Sequence, residues 1–111
     1  MSTAHGLSDQ TVQKLRAVCA AFPQVEKAVL YGSRAKGTFK PGSDIDLTLI
    51  GDTIDGRVSS KIYWALDDLL LPYQIDLSLF SKLTHPELID HIRRVGVPLY
   101  ERPGVGAPVT E

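Results

Sequence analysis

The sequence predicts one small α/β domain (α+β in arrangement), a mixed sheet with helices packed on one face. Three observations predict it. Segments with apolar residues at helical spacing alternate with segments whose residues alternate apolar and polar. The two middle strands are joined by a connection too short for the crossover helix that a fully parallel sheet requires. The 111 residues suffice for one modest core and no more.

The elements follow in order. Residues 1–7 read as a loose start. Ser8 is an N-cap candidate, and Val12, Leu15, Val18, Cys19 and Phe22 recur at helical spacing before Pro23 ends the helix. Lys27 to Tyr31 reads as a strand that runs into Gly32-Ser33-Arg34-Ala35-Lys36-Gly37, a segment with room for a single helical turn. Pro41-Gly42 is a turn signal. Asp44 to Ile50 is the second strand: Ile45, Leu47 and Leu49 share one face, Asp44, Asp46 and Thr48 the other. A polar loop over 51–56 precedes a helix carrying Val58, Ile62, Ala65, Leu66 and Leu69, stopped near Pro72. On that helix, one of Tyr63 and Trp64 is expected in the core. Gln74 to Phe80 repeats the strand alternation with Asp76 on its polar side. Thr84-His85-Pro86-Glu87 reads as a capping box opening a helix with Leu88, Ile89, Ile92 and Val95, ended by Gly96. Val97 to Arg102 reads as an edge strand, because Pro98 cannot donate to a ladder. The domain is thus expected over residues 1–102, with 103–111 as a flexible tail.

Composition narrows the function. Twelve Lys and Arg against 13 Asp and Glu leave a net charge of −1, which argues against direct nucleic-acid binding through a broad basic surface. No apolar run is long enough to span a membrane. The first residues lack the basic and apolar regions of a signal peptide, and the single cysteine provides no disulfide framework, so a cytoplasmic protein is expected. Cys19 falls at an apolar helical position and reads as core. His5, His85 and His91 have no metal-ligand spacing with it. Arg93 and Arg94 read as complements to a helix C-terminus, and Asp67 and Asp68 as a solvated helix face.

The chemistry is concentrated between residues 32 and 76. Asp44 and Asp46 lie two apart on a strand and share a face, where like charges repel unless a cation sits between them. Hard carboxylate oxygens on a rigid strand suit Mg²⁺ or Mn²⁺. If the next strand is a neighbour, Asp76 joins them, and three carboxylates make a two-metal phosphoryl-transfer site. Gly32 allows close backbone approach, Ser33 offers a hydroxyl and an N–H, and Arg34, Lys36 and Lys40 bring positive charge. Singly, each of these reads as a turn or a solvated surface residue; together they read as a nucleotide site. The segment from Gly32 to Thr38 is not a P-loop, because Thr38 stands where the lysine belongs.

Gly32-Ser33, ten residues, Asp44-Ile45-Asp46 and a later strand with Asp76 resemble the signature of the DNA polymerase beta-like nucleotidyltransferase superfamily. The wording Tyr31-Gly32-Ser33-Arg34-Ala35-Lys36-Gly37 and Ser43-Asp44-Ile45-Asp46-Leu47 resembles its minimal nucleotidyltransferase (MNT) branch, over about residues 8–102. The resemblance implies the polymerase beta-like fold. It implies that Asp44, Asp46 and Asp76 are catalytic and hold two Mg²⁺ (or Mn²⁺) ions, with Asp76 as base. It implies that Gly32 and Ser33, with Arg34 and Lys36, bind the nucleotide. ATP is then the expected NTP, and AMP the group moved to a hydroxyl. Larger members carry a further domain for the base and acceptor, so a second protein is expected to complete the site or to be the acceptor. For the MNT branch that partner is a HEPN-domain ribonuclease toxin, and the MNT chain is its antitoxin. Two other readings stay open: a subunit that neutralises its partner by contact alone, and a transferase acting on a small molecule.

Overall fold

The computed structural model describes residues 3–40 and 42–103. In chain order the elements are β1 (Thr3–Ala4), β2 (Leu7–Ser8), α1 (Asp9–Ala20), β3 (Lys27–Tyr31), α2 (Ser33–Lys36), β4 (Ile45–Ile50), α3 (Gly56–Asp67), β5 (Ile75–Leu79), a 3₁₀ turn (Phe80–Lys82), α4 (Pro86–Val95) and β6 (Val97–Glu101). The main sheet runs β5-β4-β3-β6. β3 is antiparallel to both β4 and β6, and β4 is parallel to β5, so the sheet is mixed as expected. The parallel pair is the one whose connection contains a long helix, the 12-residue α3.

Alternation along the strands sorts the core. Ala28, Leu30, Ile45, Leu47 and Leu49 are buried on one face against Val12, Leu15 and Cys19 of α1 and Ile62 and Leu66 of α3. Fully burying a side chain of this size contributes about 1.5–3 kcal/mol. Cys19 belongs to this core, and desolvation pushes its thiol up to about 11. α1 and α3 thus form the expected helix layer. α4 departs from it: Ile92 packs with Val29 and Tyr31 on the opposite face, where Leu88 joins them. β3 is apolar at consecutive positions 28–31, so both its faces need cover.

Three local readings are corrected. The N-terminal segment is not loose from Thr3 onward. β1 and β2 pair antiparallel, Thr3 with Ser8 and Ala4 with Leu7, across His5 and Gly6, both at positive φ. α4 has no capping box; its N-cap is His85, which makes no side-chain cap bond. A residue preceding proline is pushed into extended backbone, and His85 sits there at φ −81 and ψ 112, so the helix starts at Pro86 rather than after Thr84. Neither Tyr63 nor Trp64 is core: they are 42% and 61% exposed on the outer side of α3. Ser8 caps α1 as the sequence predicts, accepting from Thr11 N, and Asp55 caps α3, accepting from Val58 N. Gly42 lies at φ 84, and Ser43 N donates to Lys40 O at 2.9 Å, as a turn there requires. Pro41 and the tail beyond Pro103 lie outside the described residues. β6 is an edge strand, as Pro98 predicted. Among the described residues no helix is long and apolar enough to cross a membrane.

Candidate active site

The carboxylates are gathered by strand register. Asp46 of β4 pairs with Asp76 of the parallel β5, and on its other side with Tyr31 of β3. With strands about 4.8 Å apart, Tyr31, Asp46 and Asp76 form one row across three strands, on the face that carries α4. The row behind it is Val29, Thr48 and Ser78. Asp44 precedes β4 by one residue and is exposed, as is Asp76, while Asp46 is half-buried.

Electrostatics follow this placement. Desolvation holds the Asp46 carboxyl above its usual range, and the charges of Asp76 and then Asp44 push the same way; His91 opposes them. The Tyr31 phenol is likewise raised, first by burial, with Asp76 and Asp46 adding to it and Ser78 opposing. Asp46 therefore feels both other carboxylates. Among the described residues no three His, Cys, Asp or Glu side chains are already drawn into a metal cage. The residues fit a divalent metal by their hard oxygen donors, their shared strand face and the uncompensated charge around Asp46.

The turn beside the carboxylates depends on glycine. Gly32 lies at φ 78 and ψ −154, and a Cβ built on it runs into the Asp46 carboxylate. The backbone at Gly32 therefore touches the site. Gly32→Ala is expected to cost about 2–3 kcal/mol, from strain plus collision, and to displace Asp46. Urea unfolding of the variant checks this, and an unchanged midpoint would show that the turn relaxes freely. After Gly32, α2 provides a single helical turn that begins with Ser33.

Two further site residues differ from the sequence reading. Arg34, expected to contact the triphosphate, is 1% exposed. Its Nε and Nη2 donate to Ser43 O at 3.1 and 2.8 Å, and its Nη1 donates to His5 O at 2.9 Å. Its guanidinium carbon lies 4.7 Å from the Tyr73 ring centre and 5.2 Å from that of Phe39. Its donors are thus turned into the protein, because residue 34 falls on the inner side of a one-turn helix. Lys36 and Lys40 are exposed. His91, set aside in the sequence for want of metal-ligand spacing, reaches the site from α4. Gly32 N–H donates to its Nε2 at 3.1 Å. The available signal was its position: a polar residue between Leu88 and Ile92, on the helix stripe that packs against β3.

The family described as "Polymerase beta, Nucleotidyltransferase" matches residues 13–104. No curated protein sequence matches. Among solved structures, the chain is similar to one in a toxin–antitoxin crystal structure with AMP-PNP, at 23% identity and a TM-score of 0.64, covering 87% of this chain and 76% of that one. It is similar to a chain of the toxin–antitoxin MntA-HepT at 18% identity and a TM-score of 0.64, covering 86% and 74%. A third is a chain of the tri-AMPylated Shewanella oneidensis HEPN toxin in complex with MNT antitoxin, at 19% identity and a TM-score of 0.63, covering 84% and 71%. At these identities the likeness is one of fold.

Proposed function

Because the chain belongs to the polymerase beta nucleotidyltransferase family, we propose that it moves AMP from ATP to a hydroxyl of a HEPN-domain ribonuclease partner, and so acts as its antitoxin. The observation that carries the transferase reading is the pairing of Asp46 with Asp76 across β4 and β5, directly beside the Gly32–Ser33 turn. The partner and acceptor are suggested by the similar structures, one the toxin–antitoxin MntA-HepT and another a tri-AMPylated HEPN toxin in complex with MNT antitoxin.

In this reading Asp44, Asp46 and Asp76 hold two Mg²⁺ (or Mn²⁺) ions. When bound, these would neutralise triphosphate charge and make the acceptor hydroxyl more acidic. Ser33 offers its hydroxyl and N–H to the phosphates, and exposed Lys36 lies on the same connection as a further contact. Arg34 is not assigned to the nucleotide. The acceptor oxygen attacks the α-phosphorus, the bond to pyrophosphate breaks, and the hydroxyl proton passes to Asp76. Such catalysis rests on positioning and on exclusion of water. Asp44 and Asp76 are exposed here, and a docked partner would cover them.

The test is co-expression with the protein encoded beside this chain, followed by intact masses of both, for the wild type and for Asp44→Ala plus Asp46→Ala. AMP-sized increments on the partner that require the Asp pair are expected. Co-purification without any mass change would overturn the enzymatic reading and leave neutralisation by contact.

A further inference from the structure

We propose that His91 is a positioning residue for the nucleotide: its Nε2 takes the Gly32 N–H and thereby holds the Gly32–Ser33 turn in the shape that receives a triphosphate. The role rests on the transferase reading above.

The observation is a single long-range contact at a place where the sheet provides none. The β3–β4 ladder ends at the Tyr31–Asp46 pair, and the β3–β6 ladder ends at Leu30–Val97. Gly32 lies one residue beyond the first and two beyond the second, at a φ and ψ that break the strand. Its N–H needs another acceptor, and His91, 59 residues away, supplies it at 3.1 Å. The acceptor is itself fixed. The His91 ring stands edge-on to Tyr31, with centroids 6.3 Å apart and planes at 78°. The next residue, Ile92, is buried against Val29 and Tyr31. α4 thus reaches the turn from a rigid base on β3.

The type of acceptor suits the location. An Nε2 that accepts puts the proton of the neutral ring on Nδ1. An imidazole nitrogen takes the N–H without adding a negative charge beside Asp44, Asp46 and Asp76, where a triphosphate must approach. A carboxylate in its place would repel that ligand. The contact also divides the labour within the turn. Gly32 N–H is engaged with α4, so Ser33 provides the donors for phosphate.

The test uses His91→Leu, which keeps an apolar contact with Tyr31 and removes the acceptor, and His91→Gln, whose Oε1 can reach the same N–H. Amide exchange of Gly32 is measured without nucleotide, Mg²⁺-dependent binding of a non-hydrolysable ATP analogue by calorimetry, and stability by thermal unfolding. For His91→Leu, Gly32 protection and analogue affinity are each expected to fall about tenfold with little change in unfolding temperature. His91→Gln is expected to restore both. If the leucine variant loses Gly32 protection but keeps full affinity, His91 is only structural and the proposal fails. It also fails if Gly32 protection survives the leucine change. A wild-type chain with a protected Gly32 that binds no analogue overturns the transferase reading itself, and the positioning role with it.

Discussion

Asp46→Asn is expected to reduce nucleotide transfer about a thousandfold or more, while making the metal-free protein harder to unfold at neutral pH. The first effect follows from its place between Tyr31 and Asp76, under the Gly32 turn, where it is the best-positioned carboxylate of the three to hold a cation between neighbours. The second follows from its raised carboxyl. In the unfolded chain that group titrates near its ordinary value; in the fold, desolvation and the charges of Asp76 and Asp44 favour the protonated form. Ionising Asp46 therefore costs the fold stability. The cost is absent well below the ordinary carboxylate range, grows as pH rises from the ordinary value to the raised folded one, and is fully present above it. Asparagine removes it. Calorimetric unfolding is thus expected to show a higher Tm for the variant at pH 7 and no difference near pH 3. Mn²⁺ is expected to raise the Tm of the wild type and to have much less effect on Asp46→Asn, because a ligand that binds only the folded state stabilises it. A variant less stable than the wild type at pH 7 would show that Asp46 is a structural anchor rather than a site held under repulsion.

Local periodicity made most of this legible beforehand. The strands at 27–31, 45–50 and 75–79 and the three long helices were readable because alternation and helical spacing are properties of neighbours in sequence. The placement of Asp76 was legible only conditionally, since strand order is not a local property; the parallel pairing of β4 with β5 supplies it. What escaped depends on distant partners. Whether α4 lies above or below the sheet is decided by the apolar side of Val29 and Tyr31, which needs cover, not by α4's own pattern. His91 became visible as a site residue only once α4 was seated there. The capping box at Thr84 was overridden by the restriction that Pro86 places on His85.

Arg34→Ala is expected to destabilise the protein by about 3–5 kcal/mol, from the loss of a large packed side chain and from leaving the Ser43 and His5 carbonyls without their donor. The guanidinium binds three parts of the chain together. It spans Ser43 O with two donors and His5 O with a third, while His5 Nδ1 lies 3.1 Å from Arg34 O. The β1–β2 hairpin turn, α2 and the 37–43 connection are thus fixed to one another, and Asp44 follows directly on Ser43. Arg34→Lys separates this from the role that the family resemblance implied. An ammonium keeps the charge but cannot reproduce the planar fork on Ser43 O or offer a planar face to the Tyr73 and Phe39 rings. Lysine is therefore expected to lose about 2 kcal/mol in urea unfolding. At a temperature where the variant is folded, its affinity for a Mg²⁺–ATP analogue is expected to fall only as far as Asp44 is loosened. The opposite pattern, full stability with nucleotide binding lost, would mean that the side chain swings out to the phosphates and that the buried position is not the working one. The three hydrogen bonds and the near-complete burial argue for the first outcome: the residue after the Gly-Ser pair holds the loop that carries Asp44, and in the proposed function phosphate contact would fall to Ser33 and Lys36.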